Sequence, residues 1–276
     1  MQNFIDILAV EKFIVMILTK QILSGILFFL FIPVLMAQKS DQPTIRVLTF
    51  NILHGATVNN DFDLDKIASV IKEADPDLVA LQEVDFKTTR ANKYDLVTEL
   101  GWRTKMTSLF GKAMDFDGGG YGEGILTKMP IIASRNLPLP HSEGNEPRTA
   151  LEVRVELESG DTICFIGTHL EHKKNDPDRI CQARRINEIF LPNTYPTILA
   201  GDLNDTPKSA PIQVLNKFWT DASGKDATFP SNGPQRKIDY IMYLPSNKWE
   251  VLETKVICDE VASDHCAVLS VLRLNE

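Results

Sequence analysis

The chain has 276 residues, 43% of them hydrophobic, and a formal net charge of −8 at pH 7. This length and apolar content are enough for one large domain with a full core, and no low-complexity linker divides the chain. The acidic balance argues against a surface built for tight, sequence-blind binding to nucleic acids, although a local basic rim can still serve an acidic protein.

The first predicted element is a leader over residues 1–37. An almost wholly apolar run follows Lys20 and ends at Ala37, before a polar segment. This pattern is typical of a signal peptide that is cleaved after Ala37, and a start at Met16 would give a leader of ordinary length. An uncleaved membrane anchor is the alternative, because the run is close to the shortest that spans a bilayer. Both alternatives place residues 38–276 outside the cytoplasm, in the periplasm or the extracellular space.

Apolar periodicity predicts the secondary structure of the remaining chain. Strands are expected at residues 44–50, 78–81, 130–132, 151–157, 162–168, 197–200, 238–243 and 267–272. Helices are expected at residues 64–74, 94–100 and 178–190. The turn at residues 159–161 predicts an antiparallel hairpin of half-buried strands. Helices interleaved with strands and hairpins indicate mixed sheets with the helices outside, which is an α/β (α+β) fold.

Four cysteines are few for an exported chain, and they lack the spacing of a metal site. They are Cys164, Cys181, Cys258 and Cys266. Three lie in apolar, strand-like segments, where a free thiol behaves as a small hydrophobic residue. We therefore leave a disulfide open and do not expect the fold to depend on one.

Carboxylates and amides follow several of the predicted strands. Glu83 and Asp202 each come two residues after a fully apolar run. Charging them at a buried strand end is costly without a counter-ion, and Mg²⁺ offsets this cost because it binds carboxylate oxygens and keeps water or phosphate in its other positions. Any one carboxylate alone is better explained as the cap of a turn. That explanation weakens because six residues occupy such places: Asn51, Glu83, Asp202, Asn204, Asp239 and Asp264.

Two histidines lie in the same kind of position. His169 ends an apolar strand, and His265 stands beside Asp264, with Asp239 as a further carboxylate partner. A lone histidine is more often a hydrogen-bonded structural group. A histidine oriented by a carboxylate, however, can accept a proton from water near neutral pH, which phosphate-ester hydrolysis requires.

The order of these motifs resembles the endonuclease/exonuclease/phosphatase superfamily. The matching motifs are Phe50-Asn51, Gln82-Glu83-Val84, Thr168-His169-Leu170, Gly201-Asp202-Leu203-Asn204, Ile238-Asp239-Tyr240 and Ser263-Asp264-His265. The resemblance runs from Thr44 to Leu274. It implies a catalytic domain at residues 38–276 that is a four-layer sandwich, with two packed mixed β-sheets flanked by helices. The substrate stays open, because the superfamily includes nucleases, sphingomyelinases, inositol-phosphate phosphatases and deadenylases.

The resemblance also implies residue roles. Glu83 would be the principal ligand of Mg²⁺, for which Mn²⁺ is an alternative, and Asn51 and Asp264 would complete or orient the water shell of the metal. Asp202 and Asn204 would position the attacking water and hold the phosphoryl oxygens.

The histidines would complete an in-line displacement at phosphorus. His265, oriented by Asp239, would act as the general base or as a charge-stabilising contact. His169 would contact the scissile phosphate or assist the leaving oxygen.

Further residues resemble a subgroup of exported bacterial members. The run from Thr168 to His172, with Arg179 and Gln182 downstream, resembles one of its patterns, and the segment through His54 resembles its first motif. His54 and His172 are therefore expected at the mouth of the site, with a supporting or surface position as the alternative.

Three more side chains are relevant to binding of the substrate phosphate. Arg148 and Arg90 are candidate anion contacts, with surface pairing as the stronger alternative for Arg90. Glu123 stands where many relatives carry Asn or a small residue, and a carboxylate there would repel phosphate unless it were paired or metal-bound, which makes a second metal conceivable. The glycines at 118–120 are expected in a flexible rim loop, since no phosphate-binding lysine follows them.

The sequence thus predicts an exported Mg²⁺-dependent phosphoesterase acting on a phosphodiester, from a lipid head group, a small organic phosphate or a nucleic acid. A secreted nuclease is the alternative, although the one basic cluster, residues 172–174 with Arg179, Arg184 and Arg185, is interpreted as a solvated helix face. A non-catalytic binding module is a remote alternative, because the carboxylates and histidines that catalysis needs are all present. We expect a monomer without an obligate protein partner.

Overall fold

The computed structural model describes residues 42–174 and 177–275. The predicted leader, with both of its candidate starts, lies outside the described residues. Among the described residues, no helix combines the length and the apolar character needed to cross a membrane.

One mixed sheet of six strands carries the first half of the motifs. It contains β1 (Thr44–Asn51), β2 (Leu78–Phe86), β3 (Thr107–Phe116), β4 (Gly119–Thr127), β11 (Trp249–Ile257) and β12 (Ala267–Leu274). Their order in the sheet is β11-β12-β1-β2-β4-β3. The central pair β1 and β2 is parallel, and every other neighbouring pair in this sheet is antiparallel.

A second mixed sheet of six strands carries the other motifs. It contains β5 (Ile131–Leu139), β6 (Arg148–Glu156), β7 (Thr162–His169), β8 (Thr197–Asp202), β9 (Thr220–Asp221) and β10 (Asp239–Leu244), in the order β5-β6-β7-β8-β10-β9. The antiparallel pairing of β6 and β7 confirms the predicted hairpin. The predicted half-burial is wrong for both strands, because β7 is buried along almost its whole length and Glu152 of β6 is buried and ion-paired with Arg135 and Arg154.

The two sheets pack face to face, with helices on both outer faces. Apolar side chains from the inner faces of both sheets form one core, for example Val47, Ile125, Phe165 and Ile241. Helices α1 (Leu64–Ala74) and α2 (Leu96–Thr104) pack on the outer face of the first sheet. Helices α3 (Asp178–Phe190) and α4 (Ala210–Leu215) pack on that of the second. This arrangement confirms the predicted four-layer sandwich.

Capping residues set the beginnings of the first two helices. α1 coincides with its prediction, since the Asp63 side chain accepts a hydrogen bond from the backbone N–H of Lys66 at 3.0 Å. α2 begins later than predicted, because the Asp95 side chain accepts from the backbone N–H of Thr98 at 3.2 Å and so marks the residue before the helix.

Strands β3, β4, β9 and β11 and helix α4 were not predicted from the sequence. β3 and β11 are the two edge strands of the first sheet and are largely solvent-accessible, so they lack the apolar run by which buried strands are detected. The predicted rim loop at residues 118–120 is instead the end of the β3–β4 hairpin. Glycine is needed within β4, since a Cβ atom at Gly122 would lie 2.1 Å from the carbonyl oxygen of Gly111.

A disulfide joins Cys258 and Cys266, which the sequence left open. Ile257 pairs with Ala267 at the end of the β11–β12 ladder, so the next residue of each strand faces the other. The bond therefore closes the loop that carries His265. Cys164 is a free buried thiol, as expected, and burial raises its pKa.

Removing this disulfide is expected to destabilise the fold. A Cys258→Ser, Cys266→Ser double variant should lose about 2 kcal/mol of unfolding free energy, because a cross-link over so short a loop restricts the unfolded chain only moderately. Urea unfolding with and without reductant measures the loss. Cys181→Ser, which removes an exposed free thiol, is the control and should be unchanged. Equal stability of the wild type in both conditions would contradict the prediction.

Candidate functional site

The inner faces of both sheets end in polar side chains at the same edge. Because side chains alternate along a strand, the residues that continue the inter-sheet core toward this edge share its face. These residues are Asn51 of β1, Gln82 of β2, Glu123 of β4, His169 of β7, Asp202 of β8 and Asp239 of β10, and all are buried. The apolar core between the sheets is therefore capped at this edge by a buried polar cluster.

One atom, Oδ2 of Asp202, lies at the centre of this cluster. The Asn51 side chain donates a hydrogen bond to it at 3.3 Å. The Nε2 atoms of His169 and His265 lie 3.5 and 3.7 Å from it. The other oxygen of Asp202 accepts from the backbone N–H of Asn204 at 2.8 Å. Residues from both sheets thus converge on a single carboxylate oxygen.

His265 is held by a second buried carboxylate. Its Nδ1 atom lies 3.1 and 3.2 Å from the two oxygens of Asp239, which also accepts a hydrogen bond from the Thr228 hydroxyl at 2.5 Å. The Phe229 ring packs on the imidazole at a centroid distance of 4.8 Å. Burial lowers the pKa of His265, but Asp239 and Asp202 outweigh it and raise the pKa to about 10. His265 is therefore an imidazolium near neutral pH.

The surroundings of Asp202 disfavour its charged form, whereas those of His265 favour the charged form. Burial and the nearby Asp239 carboxylate raise its pKa to about 7, against the lowering effect of His265. A carboxyl group that titrates near neutral pH has the proton affinity that a general base needs.

His169 has a guanidinium partner instead of a carboxylate. Arg148 Nη1 donates to its Nδ1 atom at 3.0 Å, and burial together with this positive charge lowers the pKa of His169 well below its usual value. The Asn204 amide lies 2.9 Å from Nε2. Arg148 also reaches Nδ1 of His172 at 3.2 Å and a carboxylate oxygen of Glu146 at 2.9 Å. His169 is therefore a neutral ring, fixed on both sides.

Glu83 stands on an irregular part of β2. Its φ of +57° is in the left-handed region, and the ladder with β4 shifts register around it, which turns the side chain toward the site. Oε1 accepts from the Asn51 amide at 3.1 Å, and His54 Nδ1 lies 3.5 Å from Oε2. Burial opposes ionisation of Glu83, but His54, His169, Asn51 and His265 outweigh it and lower its pKa to about 2.

Comparison with known proteins agrees with this geometry. A model of the endonuclease/exonuclease/phosphatase family matches residues 48–265. The chain belongs to this family.

Solved structures share the fold at low sequence identity. A functionally unknown conserved protein from Enterococcus faecalis V583 has 23% identity and a TM-score of 0.71, over 84% of this chain and 100% of that one. Mannosyl-6-phosphatase from Bacteroides thetaiotaomicron VPI-5482 has 18% identity and a TM-score of 0.68, over 83% and 99%. The human Nocturnin catalytic domain, solved with a sulfate anion, has 19% identity and a TM-score of 0.65, over 85% and 96%.

The donor atoms of this endonuclease/exonuclease/phosphatase site fit a hard divalent cation. Of the predicted metal set, Asn51 and Glu83 are in contact, and Asp264 contributes a buried Oδ1 with no hydrogen-bond partner among the described residues. A second group places one potential ligand atom of each residue within 4.8 Å of the others: Asp202, Asp239 and His265. His265 cannot be a metal ligand while it is an imidazolium, so this group fits a cation less well. Carboxylate and amide oxygens, such as those of the predicted metal set, are the ligands that Mg²⁺ and Mn²⁺ prefer.

Glu123 of β4 faces the site. It is buried, and its Oε2 has no hydrogen-bond partner among the described residues. Burial raises the pKa of Glu123 well above its usual value; Arg148 opposes this shift, and the carboxylates of Asp202 and Glu83 add to it. The shift favours the uncharged carboxyl group and so reduces the repulsion of phosphate that the sequence suggested.

Arg90 is committed to other side chains. It donates to both oxygens of the buried Asp85 at 2.7 and 2.8 Å, and its guanidinium lies over the rings of Phe116 and Tyr121. The pairing alternative is therefore correct for Arg90, although its partner is a buried carboxylate and not a surface one.

The interpretation of the basic cluster as a solvated helix face is correct only in part. Arg179 is buried, donates to the backbone carbonyls of Glu171 and Lys173 at 2.7 and 2.6 Å, and pairs with Asp205. His172 is half-exposed beside Arg148, close to the mouth of the site. Thr228 and Phe229 were not predicted as site residues, since no apolar strand precedes them.

Proposed function

We propose that this protein is an exported, Mg²⁺-dependent phosphoesterase that hydrolyses a phosphodiester by in-line attack of water. The observation that carries the proposal is the convergence of Asn51, His169 and His265 on Oδ2 of Asp202. The shared fold of a mannosyl-6-phosphatase and of Nocturnin supports phosphoester chemistry in general and leaves the substrate open.

Asp202 would orient the attacking water and take its proton. Its pKa of about 7 suits that task, and its other oxygen is fixed by the backbone N–H of Asn204, so the carboxylate is held in one orientation. Asn204 itself has a φ of +53°, a strained conformation of the kind often found at functional sites.

The two histidines would act on the phosphate in different ways. His265 is charged, because the Asp239 carboxylate stabilises the protonated imidazole. It would therefore stabilise the negative charge of the phosphoryl oxygens and would not act as the base. His169 is neutral, since Arg148 donates to its Nδ1, and its Nε2 side would face the phosphate or the leaving oxygen.

Glu83 would hold the Mg²⁺ ion, with Asn51 beside it and Asp264 contributing its free oxygen. A bound Mg²⁺ would supply positive charge to the phosphoryl and leaving oxygens. The low pKa of Glu83 keeps this ligand ionised at any pH at which the protein works.

Glu83→Gln is expected to weaken Mg²⁺ binding by at least about 100-fold, since even residues that only support a metal ligand contribute 10–100-fold. Titration calorimetry with Mn²⁺ and the Mg²⁺ concentration at half-maximal activity both measure this. Glu158→Gln, at an exposed turn, is the matched control. Unchanged metal affinity in Glu83→Gln would rule out the assigned ligand, whatever happened to the activity.

Export is supported by two independent features. The amino-terminal sequence has the pattern of a signal peptide, and the Cys258–Cys266 disulfide is of a kind that persists in oxidising compartments. Sequencing the amino terminus of the protein recovered from the periplasm or medium tests both the location and the cleavage after Ala37. We propose that the exported protein is a monomer.

The activity is tested on several phosphodiesters in parallel. The purified protein is incubated with Mg²⁺ and, separately, plasmid DNA, RNA, sphingomyelin, phosphoinositides or a chromogenic phosphodiester, and EDTA is the control. EDTA-sensitive hydrolysis is the expected result, and hydrolysis of DNA or RNA alone would favour the nuclease alternative. Tight metal binding without turnover of any substrate would count against an enzyme and for a binding module.

A further inference from the structure

A cleft of about 790 Å³ lies directly beside the site. Its walls come from the loop after β7, the start of α3, the segment before α4 and the segment before β10. Asn204 lines this cleft and also contacts His169. Space beside the scissile phosphate is therefore open to another part of the same substrate.

The cleft is positively charged in a protein that is acidic overall. Among the described residues, its lining includes Lys174, Arg179, Arg236 and one carboxylate, that of Asp205. Arg179 pairs with Asp205 at 3.2 Å, which neutralises both. Lys174 and Arg236 have no ion-pair partner among the residues that the structure describes, and both are exposed. Two uncompensated cations thus face one cleft, against a net charge of −8 for the chain.

An unpaired hydroxyl adds a third donor. The Oγ atom of Ser209 is buried and has no hydrogen-bond partner in the described part of the chain, and Ser209 lines the same cleft. Buried hydroxyls are nearly always hydrogen-bonded, so an unpaired one in a cleft of cations is a natural donor to a bound anion.

Arg236, which lines the cleft, is also linked to His265 through the Phe229 ring. Its guanidinium lies 6.0 Å from the centre of the Phe229 ring, which in turn packs on His265. The cleft is therefore lined at one wall by Asn204, which contacts His169, and at another by Arg236, which reaches His265 only through the Phe229 ring. A group bound there would lie next to the phosphate that these residues contact.

We propose that this cleft binds a second phosphate group of the substrate. The assignment rests on the proposed function, and it narrows the substrate to phosphodiesters that carry a further phosphate. Phosphate suits the cleft because an ammonium, a guanidinium and a hydroxyl can each donate to a different oxygen of one dianion. The phosphorylated substrate would be a nucleotide or a phosphorylated lipid head group, which offer the same chemistry.

Binding of matched ligand pairs tests the proposal without requiring turnover. The first pair is thymidylyl-thymidine with and without a terminal phosphate, at either end. The second is glycerophosphoinositol with and without a 4-phosphate. Dissociation constants are measured by calorimetry in EDTA. We expect at least one pair to show roughly tenfold tighter binding of the phosphorylated member, as hydrogen bonds to charged groups allow, and that pair identifies the source of the phosphate.

Variants assign the preference to the cleft. Lys174→Ala with Arg236→Gln should abolish the preference, and both side chains are exposed, so the fold is not at risk. Lys217→Ala removes an exposed cation outside the cleft and should retain it. Equal binding within both pairs overturns the proposal, with or without Mg²⁺-dependent turnover, and so does a preference that survives the double variant. A preference without any turnover counts against the proposed function alone and still supports the phosphate site.

Discussion

Asp202→Asn is expected to lower kcat by about 10²–10⁴-fold, the range for loss of a general base. The variant keeps the size of the side chain and one acceptor oxygen, so either the contact with Asn51 or the one with the backbone N–H of Asn204 can persist while the proton acceptor is lost. The pH profile is the more specific readout. Because burial and Asp239 raise the pKa of Asp202 to about 7, kcat/KM of the wild type should rise with pH through about 7, and the residual activity of the variant should not.

Asp202→Asn should increase the stability of the fold although it lowers the activity. Without metal, the folded state binds the Asp202 proton up to about pH 7, whereas the unfolded state releases it near 3.8. Between these values the folded state holds more protons, so this group makes stability fall as pH rises. Asp202→Asn should therefore unfold at higher urea than the wild type above pH 7 in EDTA. Function would then be maintained at a cost in stability.

Asp115→Asn, at an exposed position of β3, is the control for both measurements and should change neither. A variant that lost activity together with stability would have been damaged in its fold, and the role of Asp202 would remain without support. A fully active Asp202→Asn variant would exclude Asp202 as the base.

The motif-bearing strands were predictable because they are buried on both faces. One face of β7 and β8 packs against helices, and the opposite face packs against the first sheet. Both strands therefore appear in the sequence as apolar runs that end at His169 and Asp202. α1 was predicted to the residue from its apolar stripe, and the structure adds the cap at Asp63. Local patterns are sufficient where burial and local propensity agree.

Long-range pairing was not predictable from these patterns. The Cys258–Cys266 bond depends on the register of β11 against β12, and β11 is an exposed edge strand without an apolar run. Arg179 looked like a solvated side chain because helical patterns assign charges to the outer face, whereas its burial depends on two carbonyls and on Asp205.

The electrostatic roles were also hidden from the sequence. His169 and His265 occupy similar motifs, yet one is neutral and the other charged. The difference arises from the partner at Nδ1, which is Arg148 in one case and Asp239 in the other. The sequence left His265 open between general base and charge-stabilising contact, and only the partner distinguishes these alternatives.

His265→Ala and Asp239→Asn are each expected to lower kcat by about 10²–10³-fold, and the double variant by little more than either alone. Asp239 acts by keeping His265 protonated and oriented, so once one member is lost the other has nothing left to contribute. A double-mutant cycle on kcat measures this coupling. Effects that multiplied would show that the two residues act independently and would contradict the proposed pairing.

The pH dependence separates a charged His265 from a merely structural one. Its pKa is raised to about 10 chiefly because Asp239 and Asp202 offset burial, so the wild type should keep the imidazolium contribution to kcat up to about that pH. Asp239→Asn removes the carboxylate with the larger effect on the pKa of His265. This pKa should therefore fall, and the alkaline loss of activity should begin at lower pH. Asp226→Asn, at an exposed position, should leave the alkaline limb in place. An alkaline limb that did not move in Asp239→Asn would mean that the charge of His265 has no part in the reaction.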